Sequence, residues 1–141
     1  MRSLLADLDP LPDVLDSSHL DGNTFLWLGP AGTVTPLHHD VDNVLFVQLH
    51  GEKMITLASP MQSHRMYNGI SVYSEVDARA PDLVRHPLFA EVDLLRVTVR
   101  PGDVLFIPVG WWHQVESLSV SVSVSFVNFI YPNAFVWHLA G

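Results

Sequence analysis

The sequence predicts an all-β fold, an antiparallel sandwich or short barrel. Three observations carry that expectation. Seven short segments are rich in Val, Ile, Leu, Phe and Trp, and Gly, Pro, Asn and Asp punctuate them at close spacing. Helical periodicity is scarce. One segment, SVSVSF (121–126), alternates serine with apolar residues, the period-2 pattern of a half-buried strand. A chain of 141 residues suits a single domain, 1–141, with a real core.

In chain order, residues 1–22 read as a loop-like N-terminal segment containing Pro10, Pro12 and Ser17-Ser18. Strands are expected at 24–29 (TFLWLG), 33–39 (TVTPLHH), 43–51 (NVLFVQLHG) and 53–59 (KMITLAS). Residues 61–92 read as an insertion with about one helical turn, since Pro81-Asp82 can open a helix that Pro87 then stops. Strands resume at 94–100 (LLRVTVR), 104–116 (VLFIPVGWWHQVE) and 120–131 (VSVSVSFVNFIY). Phe25, Trp27, Leu45 and Phe106 read as barrel packing, and Trp111 as core.

Composition narrows the chemistry. The hydrophobic fraction is 48%, yet no apolar run is long enough to span a bilayer, so no membrane role is expected. The start, MRSLLADLDP, has no long apolar core and carries two aspartates; it does not read as a signal peptide, and the chain reads as cytoplasmic. Seven basic against fifteen acidic residues give a net charge of −8 with no basic stripe, which argues against nucleic acid as a partner. Cysteine is absent, so disulfides, thiolate nucleophiles and cysteine-bound clusters are excluded. A metal must be held by His, Asp or Glu, which suits iron, zinc, manganese or copper.

One stretch supplies such ligands: TPLHHD (35–40). His38 and Asp40 stand two apart, which on an extended strand puts both on one face and turns His39 to the other. A third ligand must come from elsewhere, and His113, in PGDVLFIPVGWWH (101–113), is the candidate. Two histidines and one carboxylate, with positions left open, are the ligand set of non-heme Fe(II) oxygenases. Alone, an H-x-D is more often a solvent-facing loop or a His–Asp hydrogen bond. His19, His50, His64, His86 and His138 lack a carboxylate at ligand spacing and read as solvated or structural.

TPLHHDVDNVLFVQLHGEK followed by PGDVLFIPVGWWHQVES and VNF resembles the JmjC family, in its cupin-like asparaginyl-hydroxylase branch. The likeness spans roughly 24–60 and 94–131. It implies a double-stranded β-helix (jelly roll) and an Fe(II)- and 2-oxoglutarate-dependent oxygenase that hydroxylates a C–H bond of a protein, peptide or small molecule. It implies His38, Asp40 and His113 as metal ligands. It implies Lys53 and Thr35 as partners of the far carboxylate of 2-oxoglutarate, and Asn128 and Asn43 in the cosubstrate pocket. Asn43 sits one position earlier than in the family pattern.

The residues add their own reading. Lys53 is the only lysine, and its position opening a strand after Gly51 lets it turn inward toward an anion or outward to water. Arg65, Arg96 and Arg100 are alternative anion partners. Asn128 falls on the face of Val122, Val124 and Phe126, where its amide needs a partner, in the pocket or on a neighbouring backbone. Strict alternation puts Thr35 on the face of His39, unless Pro36 breaks the strand. Relatives of the branch carry a long N-terminal extension that walls the pocket. About 23 residues precede the first strand here, so that wall is either absent or supplied by a second copy (a homo-oligomer) or a partner chain. The alternative function is a cupin-type metal-binding protein without turnover.

Overall fold

The computed structural model describes residues 11–69 and 71–133. Its strands are β1 (Thr24–Gly29), β2 (Val34–His38), β3 (Val44–His50), β4 (Lys53–Ala58), β5 (Leu95–Val99), β6 (Val104–Ile107), β7 (Trp112–Ser117) and β8 (Ser121–Phe126). They build two four-stranded sheets, ordered β1-β8-β3-β6 and β2-β7-β4-β5, antiparallel throughout. The chain crosses repeatedly from one sheet to the other, as in a jelly-roll sandwich. No described helix is long and apolar enough to cross a membrane.

The expected strand 104–116 is two strands in different sheets. Val104–Ile107 pairs with β3, and Trp112–Ser117 pairs with β2 and β4. The corner between them turns on Gly110, at φ 76, and on the Trp111 N–H bonded to the Pro108 carbonyl at 3.1 Å. Continuous apolar character hid the break, because strand and corner are equally hydrophobic here.

Three apolar clusters make up the core, one between the sheets and two outside them. Val44, Phe46, Ile55, Leu57, Val99 and Ile107 meet between the sheets. Leu37, Ala58, Met66, Phe89 and Trp112 form a second core beneath residues 61–92. Trp112 is fully buried there and donates its indole N–H to Ser63 Oγ at 2.9 Å. The insertion holds two 3-10 turns, Pro60–Arg65 and Pro87–Glu91, clasped by an Arg65–Glu91 ion pair at 3.0 Å. Its residues 72–74 bond along the end of β2, through His39 N–H to the Val72 carbonyl and Ser74 N–H to the Leu37 carbonyl.

The third cluster corrects the reading of β8. Leu15, Leu45, Val124 and Phe126 pack on the outer side of the first sheet, under residues 11–20. The serine face is the inner one. Ser121 and Ser123 are fully buried, and Ser123 donates to Gln48 Oε1 at 2.9 Å. Both faces of the strand are covered, so the hydrophobic side is not the side that meets the other sheet.

Candidate metal centre

The register of the second sheet assembles the site. Residues directly opposite in an antiparallel pair share a face. Lys53 pairs with Ser117, Ile55 with Val115, Leu57 with His113, and His38 with His113. Val34 and Thr35 pair with Glu116 and Val115, so the register slips by one between Thr35 and His38. That slip returns Thr35 to the face of His38. One inner face therefore carries Thr35, His38, Lys53 and His113.

His38 and His113 lie ring to ring, centroids 4.1 Å apart, and Asp40 reaches them from just beyond the end of β2. Asp40 Oδ2 is 3.5 Å from His113 Nε2, and Oδ1 is 3.8 Å from His38 Nε2. These are long for hydrogen bonds. One ligand atom from each residue lies within 4.8 Å of the others. His38 Nδ1 lies 2.7 Å from the Pro36 carbonyl and His113 Nδ1 3.0 Å from the Trp111 carbonyl. A carbonyl only accepts, so both Nδ1 atoms carry the proton and both Nε2 atoms present lone pairs. Burial, then the neighbouring His38, pushes His113 down to about 4, so its imidazole is neutral at pH 7. Three donors thus converge without satisfying one another, which fits a cation among them.

The cluster opens into a cavity of about 400 Å³, lined in part by Trp27, Thr35, Phe46, Lys53, Tyr73 and Ser125. Lys53 is 6% exposed, its ammonium stands 5.5 Å over the Phe46 ring, and no acidic partner reaches it among the described residues. Burial lowers its pKa. The arginines lie elsewhere: Arg65 binds Glu91, Arg100 binds Glu52, and Arg96 leans on the Ala78 carbonyl. His39 turns away from the cluster, edge-on to Trp112 at 4.7 Å.

A family profile described as "Cupin-like domain" matches residues 3–135. The chain belongs to the cupin-like domain family. Jumonji C domain-containing protein 5 of Drosophila melanogaster is 41% identical over 104 residues, covering 71% of this chain and 26% of the relative. Lysine-specific demethylase 8 of Xenopus tropicalis is 40% identical over 104 residues, covering 71% and 24%. HSPB1-associated protein 1 of Homo sapiens is 38% identical over 109 residues, covering 71% and 22%. The chain spans about a quarter of the length of these curated relatives.

Two expected members of this cupin-like site lie outside its cavity. Asn43 spends its amide on a loop clasp: its backbone and side-chain N–H groups donate to Asn133 Oδ1, and its Oδ1 accepts from Val109 N–H at 2.9 Å. Asn128 faces the N-terminal segment and donates to the Asp16 carbonyl at 2.8 Å. It follows the outward parity of Val124 and Phe126, whereas Ser125 and Val127 line the cavity.

Three cavity residues escaped sequence reasoning. Tyr73, from the insertion, stacks on the His38 ring at 5.4 Å and 24°. No local pattern ties it to the site. Phe25 and Trp27, expected as barrel packing, line the cavity and are each 44% exposed.

Proposed function

We propose that this domain is an Fe(II)- and 2-oxoglutarate-dependent oxygenase that hydroxylates a C–H bond of a protein side chain. The supporting observation is Lys53: a buried ammonium with no acidic partner among the described residues, lining the cavity that holds the His38–Asp40–His113 cluster. An isolated buried cation is costly, and a dicarboxylate cosubstrate relieves it. His38, Asp40 and His113 would hold the metal. Thr35 and Lys53 would hold the far carboxylate of 2-oxoglutarate. Bound together, Fe(II) and 2-oxoglutarate supply an O₂-dependent oxidation that leaves succinate, CO₂ and a hydroxylated substrate.

The chain's own residues bind, orient and shield. The Pro36 and Trp111 carbonyls fix both imidazoles with Nε2 toward the metal position. Tyr73 covers the outer side of His38, and Phe46 dries the floor beneath Lys53. Asp42, whose carboxyl is pushed up by burial and then by Asp40, stands with Phe25, Trp27 and Tyr73 on the cavity wall. Carboxylate and aromatic faces together suit a basic side chain. The name of lysine-specific demethylase 8 points the same way for that relative. Demethylation begins with the same hydroxylation, placed on an N-methyl group. The motif likeness of PGD…WWHQVES and VNF favours plain hydroxylation. β1 is an edge strand with Leu28 73% exposed, which leaves room for a wall from a partner chain or second copy.

The test is succinate formation from 2-oxoglutarate by iron-loaded protein, coupled to a basic peptide or uncoupled. Turnover should vanish in His38→Ala and Asp40→Ala. Wild-type protein that binds metal but neither binds nor consumes 2-oxoglutarate would leave the metal-binding reading instead.

A further inference from the structure

Three buried serines follow one another on the inner face of β8, and their protons go to different places. Ser121 bonds Ser117 Oγ at 3.0 Å, and Ser123 donates to Gln48 Oε1 at 2.9 Å. Ser125 is the exception. Its oxygen accepts the Trp27 indole N–H at 2.8 Å, and its own proton reaches no acceptor among the described residues. Ser125 is 5% exposed and lines the cavity. A hydroxyl can donate once, and the indole is donor only. With Trp27 occupying one lone pair, the Ser125 proton is left for whatever fills the cavity.

Register shows what lies close by. Ser125 sits directly opposite Phe46, and the Lys53 ammonium stands over the Phe46 ring. Ser125, Lys53 and Thr35 thus bring a hydroxyl from the first sheet to an ammonium and a hydroxyl from the second, all on one cavity. We propose that Ser125, oriented by Trp27, is a further donor to the far carboxylate of the dicarboxylate cosubstrate. This rests on the oxygenase reading above. Trp27 is a positioning residue: it acts through Ser125 and keeps the indole ring as cavity wall.

The experiment measures dissociation constants on Mn(II)-substituted protein, without turnover, for 2-oxoglutarate and for 2-oxobutyrate, which lacks the far carboxylate. Loss of a hydrogen bond to a charged group predicts a roughly tenfold weaker 2-oxoglutarate complex for Ser125→Ala. Trp27→Phe, which keeps a ring and removes the N–H, should weaken it about threefold, and the double variant should match Ser125→Ala. Binding of 2-oxobutyrate should stay unchanged in all three. Ser125→Ala binding 2-oxoglutarate within about twofold of wild type would overturn the inference, as would equal losses for both ligands. If wild type binds 2-oxobutyrate and 2-oxoglutarate equally weakly, and Lys53→Ala changes neither, the oxygenase reading itself fails.

Discussion

Lys53 concentrates the argument at the scale of single residues. Its neighbours on β4, Ile55 and Leu57, are core, and the same inward parity buries the ammonium beside them. Lys53→Ala should weaken 2-oxoglutarate binding roughly 10–100-fold, the range for a charge-assisted bond. It should leave metal affinity intact, since His38, Asp40 and His113 are untouched. Titration calorimetry with each ligand separates the two. Unchanged 2-oxoglutarate affinity would remove Lys53 from the site. A second residue, Asp77, contributes to acid stability. Hydrogen bonding from Arg79 holds its carboxyl well below the usual range, with further bonds from the Arg79 backbone and Gln114. The folded state therefore binds fewer protons than the unfolded one below the ordinary value of 3.8. The stabilisation is full above that pH and is lost progressively as pH falls below it, through the lower value of the folded state. Asp77→Ala should cost about 1 kcal/mol at pH 7, much of the exposed pair's attraction being screened. In urea melts the gap between the two proteins should narrow only as pH falls well below 3.8.

Elements decide how the residues meet. The β3–β4 turn brings Lys53 onto its strand, and Gly51 carries that turn at φ 68. A Cβ there would run into the Val120 carbonyl and crowd Ser119. Gly51→Ala should cost upward of ~2 kcal/mol, from left-handed strain and the backbone clash together. The melting temperature should fall, and with it the population able to bind 2-oxoglutarate. A variant as stable as wild type would mean that the turn can rearrange. The slip between β2 and β7 is the other decisive element. Without it, Thr35 would face away from His38 and leave the cavity. Pro36 sits inside the slip, where its missing N–H breaks no ladder bond.

Over the whole molecule, the proposed metal and cosubstrate would bind a cavity whose walls come from both sheets and the insertion. Ligation should therefore stabilise the sandwich as one unit. At a hundredfold excess over Kd, mass action contributes about 2.7 kcal/mol. For a domain of this size that is a rise of roughly 5–12 °C in melting temperature. Mn(II) followed by 2-oxoglutarate should give two successive increments in a thermal melt. Lys53→Ala should keep the first and lose most of the second, whereas Asp40→Ala should lose both. A single increment insensitive to 2-oxoglutarate would favour the metal-binding alternative.

The strands were legible because their alternation and turn residues are local; β1 falls where it was expected, at 24–29. The His38–Asp40 pair and the outward turn of His39 were legible for the same reason, since i and i+2 of extended chain point to one side, even though Asp40 lies just past the end of β2. What the sequence determined by itself was therefore a set of strands, a pair of candidate ligands and a lone lysine. Tertiary structure decided which face of each strand meets the cavity. Period two separates two faces but does not say which one is inner when both are buried, so Asn128 went outward and Ser125 inward. A one-residue slip, a corner at Gly110 and a clasp between Asn43 and Asn133 are likewise properties of paired segments. Residues far apart in the chain settle them, because each hydrogen bond that fixes a register needs a partner that no local pattern contains.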